Sequence, residues 1–284
     1  MQDYVQRFLF DELDIRGAFV HLQHSWRLIQ SDHGYSPPVR NLLGEMCAVT
    51  AIIAANLKQP GRLTFQLSGH GAVSLLVIDC SQTLNLRGYA KTESGIGSAA
   101  SLTEMLGSSR LQMTLDEGHT RQPYQSHVPV EGDTLAEIFE HYLVQSEQQP
   151  AALWLAANAD YAKGMFLQKL PGADLKDSDG WNRITQLAQT LTRTELLMTD
   201  METLLQRLYH QEILRVFEPR NVTHDFPLDW DKIRSMLLSL GRKEIEDILA
   251  EHGEVVIRDD LSNHTYRFNP EEARALFESA GRLH

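Results

Sequence analysis

Few side chains in this 284-residue sequence stand where they could do chemistry. There are two cysteines, Cys47 and Cys80, and a disulfide framework or a four-thiolate zinc site needs more sulfur than that. Each is expected to be a small buried hydrophobe, the usual state of a free thiol. His21 and His24 lie three residues apart and could share a helix face, yet no third ligand accompanies them, so both are expected to be partly solvated. Gly95-Ile96-Gly97-Ser98-Ala99-Ala100 fits the relaxed Gly-x-Gly-x-x-Ala phosphate fingerprint. That fingerprint works where a parallel strand turns into a helix. Here the preceding strand belongs to an antiparallel series, which leaves a flexible loop. Gly69-His70-Gly71 is too short to cradle a phosphate and reads as a tight connection between Leu67 and Val73. A Gly-x-Ser-x-Gly elbow, a P-loop and a His-Glu-x-x-His pair are all absent, so an enzyme is not favoured. No cofactor is implied.

Composition narrows the class further. With 26 Lys and Arg against 38 Asp and Glu the formal net charge is −12, which argues against a nucleic-acid partner, because such binding is carried by basic patches. The 42% hydrophobic content allows a sizeable core. Runs such as Val73 to Ile78 and Ala151 to Ala157 fall short of the roughly 20 apolar residues that span a bilayer, so no membrane partner is expected. Met1 to Phe10 lacks a basic stretch followed by an apolar one, the mark of a signal peptide, and a cytoplasmic location is expected.

The elements that would position any site follow from periodicity. Tyr4 to Leu9 and Ile15 to His21 read as two strands about a turn at Asp11-Glu12-Leu13-Asp14. Ser36-Pro37-Pro38 opens a helix that runs to Lys58, with Val39, Leu42, Leu43, Met46, Val49, Ile52 and Ile53 at helical spacing. Leu63 to Leu67, Ser74 to Asp79, Leu84 to Tyr89 and Arg110 to Leu115 read as strands of an antiparallel sheet. Thr134 and Glu137 form a capping-box pattern for a helix through Gln145. Ala151 to Ala157 and Gly164 to Leu170 read as a hairpin.

The polar run from Asp174 to Gly180 reads as a linker and domain boundary. Two helices follow, one with Ile184, Leu187 and Leu191, the other with Leu197, Met201, Leu204, Leu205 and Leu208. Beyond Pro219 a small module is expected, with helices near Asp229 to Leu240 and Arg242 to Glu251, strands Val255 to Arg258 and Thr265 to Phe268, and a last helix after Pro270. The fold class is therefore α+β: an antiparallel sheet domain with packed helices over 1–173, a helical linker region over 174–218 and a carboxy-terminal module over 219–284.

A series of short matches then points to a family. Tyr124-Gln125, Glu131-Gly132-Asp133-Thr134-Leu135-Ala136, Ser146-Glu147-Gln148, Gly164-Met165, Leu167-Gln168, Leu170-Pro171 and Arg207-Leu208-Tyr209-His210 occur in that order. So do Pro38-Val39, Gln66-Leu67, Gly69, Gly71 and Arg87-Gly88 before or among them, and Ile248-Leu249-Ala250-Glu251 and Tyr266-Arg267-Phe268-Asn269 after them. Together they resemble the redox-regulated thirty-three-kilodalton heat-shock chaperone family over nearly the whole chain.

The resemblance implies a carboxy-terminal module that holds one zinc through Cys-x-Cys and Cys-x-x-Cys. All four cysteines are missing here: Phe226 and Leu228 stand at the first pair, Asp259 and Ser262 at the second. The family's zinc-thiolate switch therefore has no ligands. His224, Asp225, Asp259 and His264 offer two imidazoles and two carboxylates, but their spacing is irregular and no metal is expected. Phe226 and Leu228, with Trp230 and Leu261, are expected to fill the vacated centre as an apolar cluster. Structural zinc can supply about 10 to 16 kcal/mol in small peptides, while burying three large side chains gives about 5 to 9. Such a module should be marginal, and a charge at Leu228 should open it.

For function the resemblance implies an ATP-independent holdase that binds unfolding proteins and prevents their aggregation, here without the redox switch. A possible homodimer comes with it. Capture needs an accessible apolar patch, and Leu197, Met201, Leu204 and Leu208 are candidates for client binding; the same stripe is also what a packed core would show. The alternative is a non-chaperone adaptor or scaffold that keeps the fold.

Overall fold

Alternating apolar residues at the amino terminus form a hairpin in the computed structural model, which describes residues 2–57, 61–92, 100–118 and 122–280. Strands β1 (Tyr4–Phe10) and β2 (Ile15–Leu22) pair antiparallel with Phe10 opposite Ile15. Asp14 takes a left-handed backbone, φ 50°, in the turn between them. After α1 (His24–Gln30) comes α2 (Pro37–Asn56), opened by two prolines in its first turn. The expected end at Lys58 lies outside the described residues.

The next five strands are β3 (Arg62–Gly69), β4 (Val73–Cys80), β5 (Leu86–Thr92), β6 (Ser109–Asp116) and β7 (Tyr124–Val128), with α3 (Leu102–Leu106) between β5 and β6. They form one antiparallel sheet in the order β5-β4-β3-β6-β7. Gly69 and Gly71 do serve a tight connection: a Cβ on Gly71 would sit 2.4 Å from the Met105 carbonyl oxygen. Most of the Gly95-to-Ala100 fingerprint, 95–99, lies outside the described residues.

Helix α4 (Leu135–Glu147) starts at the expected capping box, Thr134 accepting from the Glu137 N–H at 3.2 Å. It leads to the hairpin β8 (Ala151–Ala157) and β9 (Ala162–Lys169). β9 pairs with β2, so hairpins far apart in sequence share one sheet. Its order is completed by β10 (Leu214–Val216) and β11 (Arg220–Asn221), both antiparallel to β1.

Period-two alternation gives this amino-terminal sheet two apolar faces. Val20, Leu22, Leu153, Leu155 and Phe166 face α2, which packs on its other side against Leu63, Phe65, Leu76 and Ile78 of the second sheet. By length and composition α2 could cross a bilayer, which the shorter apolar runs had not suggested. The fold buries 72% of its apolar window instead. Gly44 permits the close approach: a Cβ there would stand 2.6 Å from that of Ala157.

Phe8, Phe10, Ile15, Phe19, Met165 and Leu167 face the other way. After the short α5 (Ala173–Lys176), they are covered by α6 (Gly180–Gln189), α7 (Arg193–Met198) and α8 (Met201–Tyr209). The expected linker from Asp174 to Gly180 is thus partly helical, and the two expected helices are three, because Thr192 and Asp200 each supply an N-cap.

The chain divides into two compact units, the first running to His224 and the second from Asp225. This corrects the expected boundaries at 173 and 218. Pairing of β10 and β11 with β1, and packing of α6 to α8 on the same sheet, tie residues 174–224 to the first unit. The second unit contains α9 (Trp230–Leu240), α10 (Arg242–His252), the hairpin β12 (Val255–Asp259) and β13 (His264–Phe268), and α11 (Pro270–Ala280). Ile233, Leu237, Ile245, Leu249, Val255, Tyr266, Phe268 and Ala273 form its core.

Candidate functional site

The apolar stripe expected to face clients is closed onto the sheet. Met201 and Leu204 are buried, and Leu197 and Leu208 are half-buried against the same cluster. Leu196, Leu205 and Tyr209, which the stripe reading left out of the site, are buried with them. Tyr209 meets Phe10 edge to face at 4.9 Å, and burial pushes its phenol well above the ordinary range. Among the described residues its hydroxyl finds no hydrogen-bond partner. That leaves a polar atom in the apolar contact between α8 and the sheet, a cost that weakens the seam. Helical spacing signalled these residues; which of them would be covered depended on the sheet.

Polar ties fasten the helical layer at its ends. Arg193 donates to the Leu155 carbonyl at 3.3 Å and to Glu45 at 2.7 Å. Arg183 joins Asp177 and Glu212, each at 2.9 Å. Lys163 Nζ donates to the carbonyl of Thr199, between α7 and α8, at 3.0 Å. The two arginine ties are ion pairs and hydrogen bonds at the rim of the layer, each worth about 1 kcal/mol or less when exposed, whereas Lys163 is 3% exposed beneath it. The main hold is therefore apolar burial.

Beneath the α7–α8 junction, Tyr4, His21 and Lys163 lie side by side across β1, β2 and β9. His21 belongs to a strand and is only 5% exposed, so it is neither on a helix face with His24 nor solvated. It stacks on Tyr4 at 5.6 Å, and among the described residues its Nε2 has no hydrogen-bond partner. Burial first, and then the neighbouring Lys163 ammonium, lower its pKa from 6.5 to about 4, against an opposing pull from Asp3. Burial likewise lowers Lys163 from 10.5 to about 8.

A histidine held neutral in the fold binds a proton more readily when unfolded. Its contribution is intact above the unfolded value of 6.5 and is lost as pH falls toward 4. The melting temperature of the first unit is expected to drop over that window, by an amount equivalent to about 1–3 kcal/mol. His21→Gln should flatten this part of the curve in a pH series of thermal melts; an unchanged slope would assign the loss to other groups.

In the second unit the expected apolar centre does not form. Leu228 is 48% exposed and Trp230 38% exposed. Phe226 and Leu261 are half-buried, and none of the four belongs to the buried cluster. Hydrogen bonds and ring packing take the place of that plug. His264 Nε2 donates to the Phe226 carbonyl at 2.6 Å, and Tyr266 Oη accepts from the Asp229 N–H at 2.9 Å. Trp230 packs edge to face on Tyr266 and Phe268, at 5.0 and 5.7 Å. The segment before α9 is thus pinned to the β12–β13 hairpin through backbone groups, which side-chain hydrophobicity could not reveal.

The residues at the family's ligand positions do not fit zinc. Phe226 and Leu228 offer no donor atom. Asp259 Oδ1 lies 3.4 Å from the Ser262 N–H and Oδ2 lies 3.6 Å from Lys232 Nζ, so the carboxylate is engaged in the hairpin turn. His224 Nδ1 donates to the Leu86 carbonyl at 2.9 Å. Among the described residues no group of three or more His, Cys, Asp or Glu side chains is placed to hold a metal. Cys47 and Cys80 are both buried. Desolvation pushes the Cys80 thiol up to about 12 and the Cys47 thiol higher still, which suppresses the thiolate on which oxidation depends.

Comparison with known proteins agrees with this architecture. A family model described as Hsp33 protein matches residues 3–269. The 33 kDa chaperonin of Pseudomonas aeruginosa is 39% identical, over 98% of this chain and 96% of that protein. The 33 kDa chaperonin of Shewanella loihica is 37% identical, over 98% and 97%. Among solved structures, the 33 kDa chaperonin (heat shock protein 33 homolog) of Thermotoga maritima superposes with a TM-score of 0.82 at 20% identity, covering 98% of this chain and 99% of that one.

Proposed function

The chain belongs to the Hsp33 family, whose relatives carry the name 33 kDa chaperonin, and on that premise we propose that it is an ATP-independent holdase. It captures unfolding proteins in the cytoplasm and keeps them from aggregating, with no need of a zinc or thiol switch. One observation carries this reading: a layer of short amphipathic helices, α6 to α8, covers an apolar sheet face made by Phe8, Phe10, Ile15, Phe19, Met165 and Leu167. Lifting that layer bares both the sheet and the stripe Leu197, Met201, Leu204 and Leu208, a contiguous surface of the kind that binds other chains. Met201 and Met165 suit it to varied sequences, because an unbranched thioether adapts its shape.

Heat is the trigger that fits the chemistry on hand. Short helices held mainly by apolar burial open locally at less cost than the sheets they cover. The second unit has no thiol at all, so thiol oxidation has no handle there. Light scattering from a thermally unfolding client, without nucleotide or oxidant, is the test. Suppression of aggregation near stoichiometric ratios is expected, and peroxide should change it less than twofold. Strong oxidative activation that disappears when Cys47 and Cys80 are both changed to Ser would overturn redox independence. No suppression at any temperature would overturn the holdase.

A further inference from the structure

On the face of the amino-terminal sheet opposite α6 to α8, a cavity of about 270 Å³ opens beside the carboxy-terminal ends of α2 and α4. Its apolar walls include Ile52, Leu115, Leu143 and Phe166. Two cross-strand neighbours, Arg16 on β2 and Gln168 on β9, belong to its polar lining, as does Asn56. Arg16 Nε donates to Gln168 Oε1 at 2.7 Å, which orients the amide. Gln168 is 2% exposed, and among the described residues its Nε2 has no hydrogen-bond partner. A buried amide N–H₂ without an acceptor is uncommon, because its desolvation goes uncompensated. Arg16 lines the same space, and burial lowers its pKa while Glu147 acts against that shift. Glu117 and Glu147 also line the cavity.

We infer that this cavity is a preformed subsite for an extended polypeptide segment, taking one large apolar side chain flanked by basic residues. The volume lies just below the range of about 300–1,000 Å³ usual for small-molecule ligands. A backbone carbonyl of the bound segment accepts from the Arg16 guanidinium, which Gln168 orients. Glu117 and Glu147 select Lys or Arg on either side, and the net charge of −12 steers such segments to the surface. The subsite rests on the holdase reading for its purpose but not for its existence. Its position on the α2 side of the sheet means that it is open while α6 to α8 are closed.

The experiment uses the full chain and two fluorescein-labelled peptides, each with a central Phe, one flanked by Lys and Arg, the other by Glu. In anisotropy titrations at low salt, the basic peptide is expected to bind at least tenfold tighter than the acidic one. Glu147→Lys, which places a cation near the carboxy-terminal end of α4 where the helix dipole favours it, should cut that preference to threefold or less. Leu115→Trp, at a half-buried wall, should abolish binding of both peptides. Gln168→Leu should weaken the basic peptide at least threefold. Circular dichroism melts check that each variant is folded, and the Leu115 and Glu147 variants keep the test standing if Gln168→Leu is not. Absence of binding by the parent chain, or binding indifferent to both Leu115→Trp and Glu147→Lys in folded protein, overturns the subsite. Peptide binding that follows this pattern in a chain that never suppresses aggregation supports the subsite and overturns only the holdase reading.

Discussion

Leu204→Asp should turn the chain into a chaperone that is active at low temperature. Leu204 is 3% exposed between α8 and the apolar sheet face. Truncating such a side chain costs about 2–5 kcal/mol, and an unpaired carboxylate in the same place costs more. The polar ties at Arg183, Arg193 and Lys163 cannot make up that loss. Amides in 180–209 should lose most of their hydrogen-exchange protection, while those of α2 and the second sheet keep theirs. Aggregation of a client at 25 °C should fall severalfold relative to the parent chain. Leu187→Asp, at a position already 38% exposed, is the control and should do little. Uniform loss of protection would mean that the helical layer is not separable from the fold. Release of the helices without client capture would mean that the uncovered face is not the capture surface.

Tyr266→Ala is expected to unfold the second unit while the first stays intact. Tyr266 is 1% exposed, carries the ring that Trp230 packs on and accepts the N–H of Asp229. Removing a large buried ring costs about 3–5 kcal/mol, as much as a core of this size supplies in net stability. Exchange protection across 226–277 should disappear at room temperature. Tyr266→Phe keeps the ring and loses one hydrogen bond, worth about 1 kcal/mol, so it should only lower the midpoint. Leu228→Asp, which the apolar-plug expectation made disruptive, should stay within about 0.5 kcal/mol of the parent because the side chain is half in solvent. A stable second unit in the Tyr266→Ala chain would place its organising contacts elsewhere.

Much of the fold could be read from local pattern because its signals are short-range. Alternation at Tyr4 to Leu9 and the capping box at Thr134 and Glu137 depend on neighbours within a few residues, and both are present as expected. The elements of the second unit fall within a few residues of their expected places for the same reason. The absence of Cys at 226, 228, 259 and 262 also sufficed to remove the zinc-thiolate centre, because donor atoms are a property of residue type alone. Together with the ordered family matches, that pointed to the class of protein.

Tertiary structure alone decided which surfaces were covered. Whether Met201 and Leu204 face solvent or the sheet depends on β1, β2 and β9 meeting from distant parts of the chain. His21 passed as a solvated residue because spacing says nothing of the strands on either side of it. The unit boundary moved to 224 because β10 and β11 return to pair with β1 across some two hundred residues, a choice of partner that no local window encodes. Phe226 and Leu228 are apolar, yet their segment is held through a backbone carbonyl and a backbone N–H. Arg16 and Gln168 meet only through the register of β2 on β9, so their cavity is a product of long-range pairing. Residue type and spacing fix local conformation and chemical capacity. Register and packing then determine which capacity is buried, which is paired and which is left open.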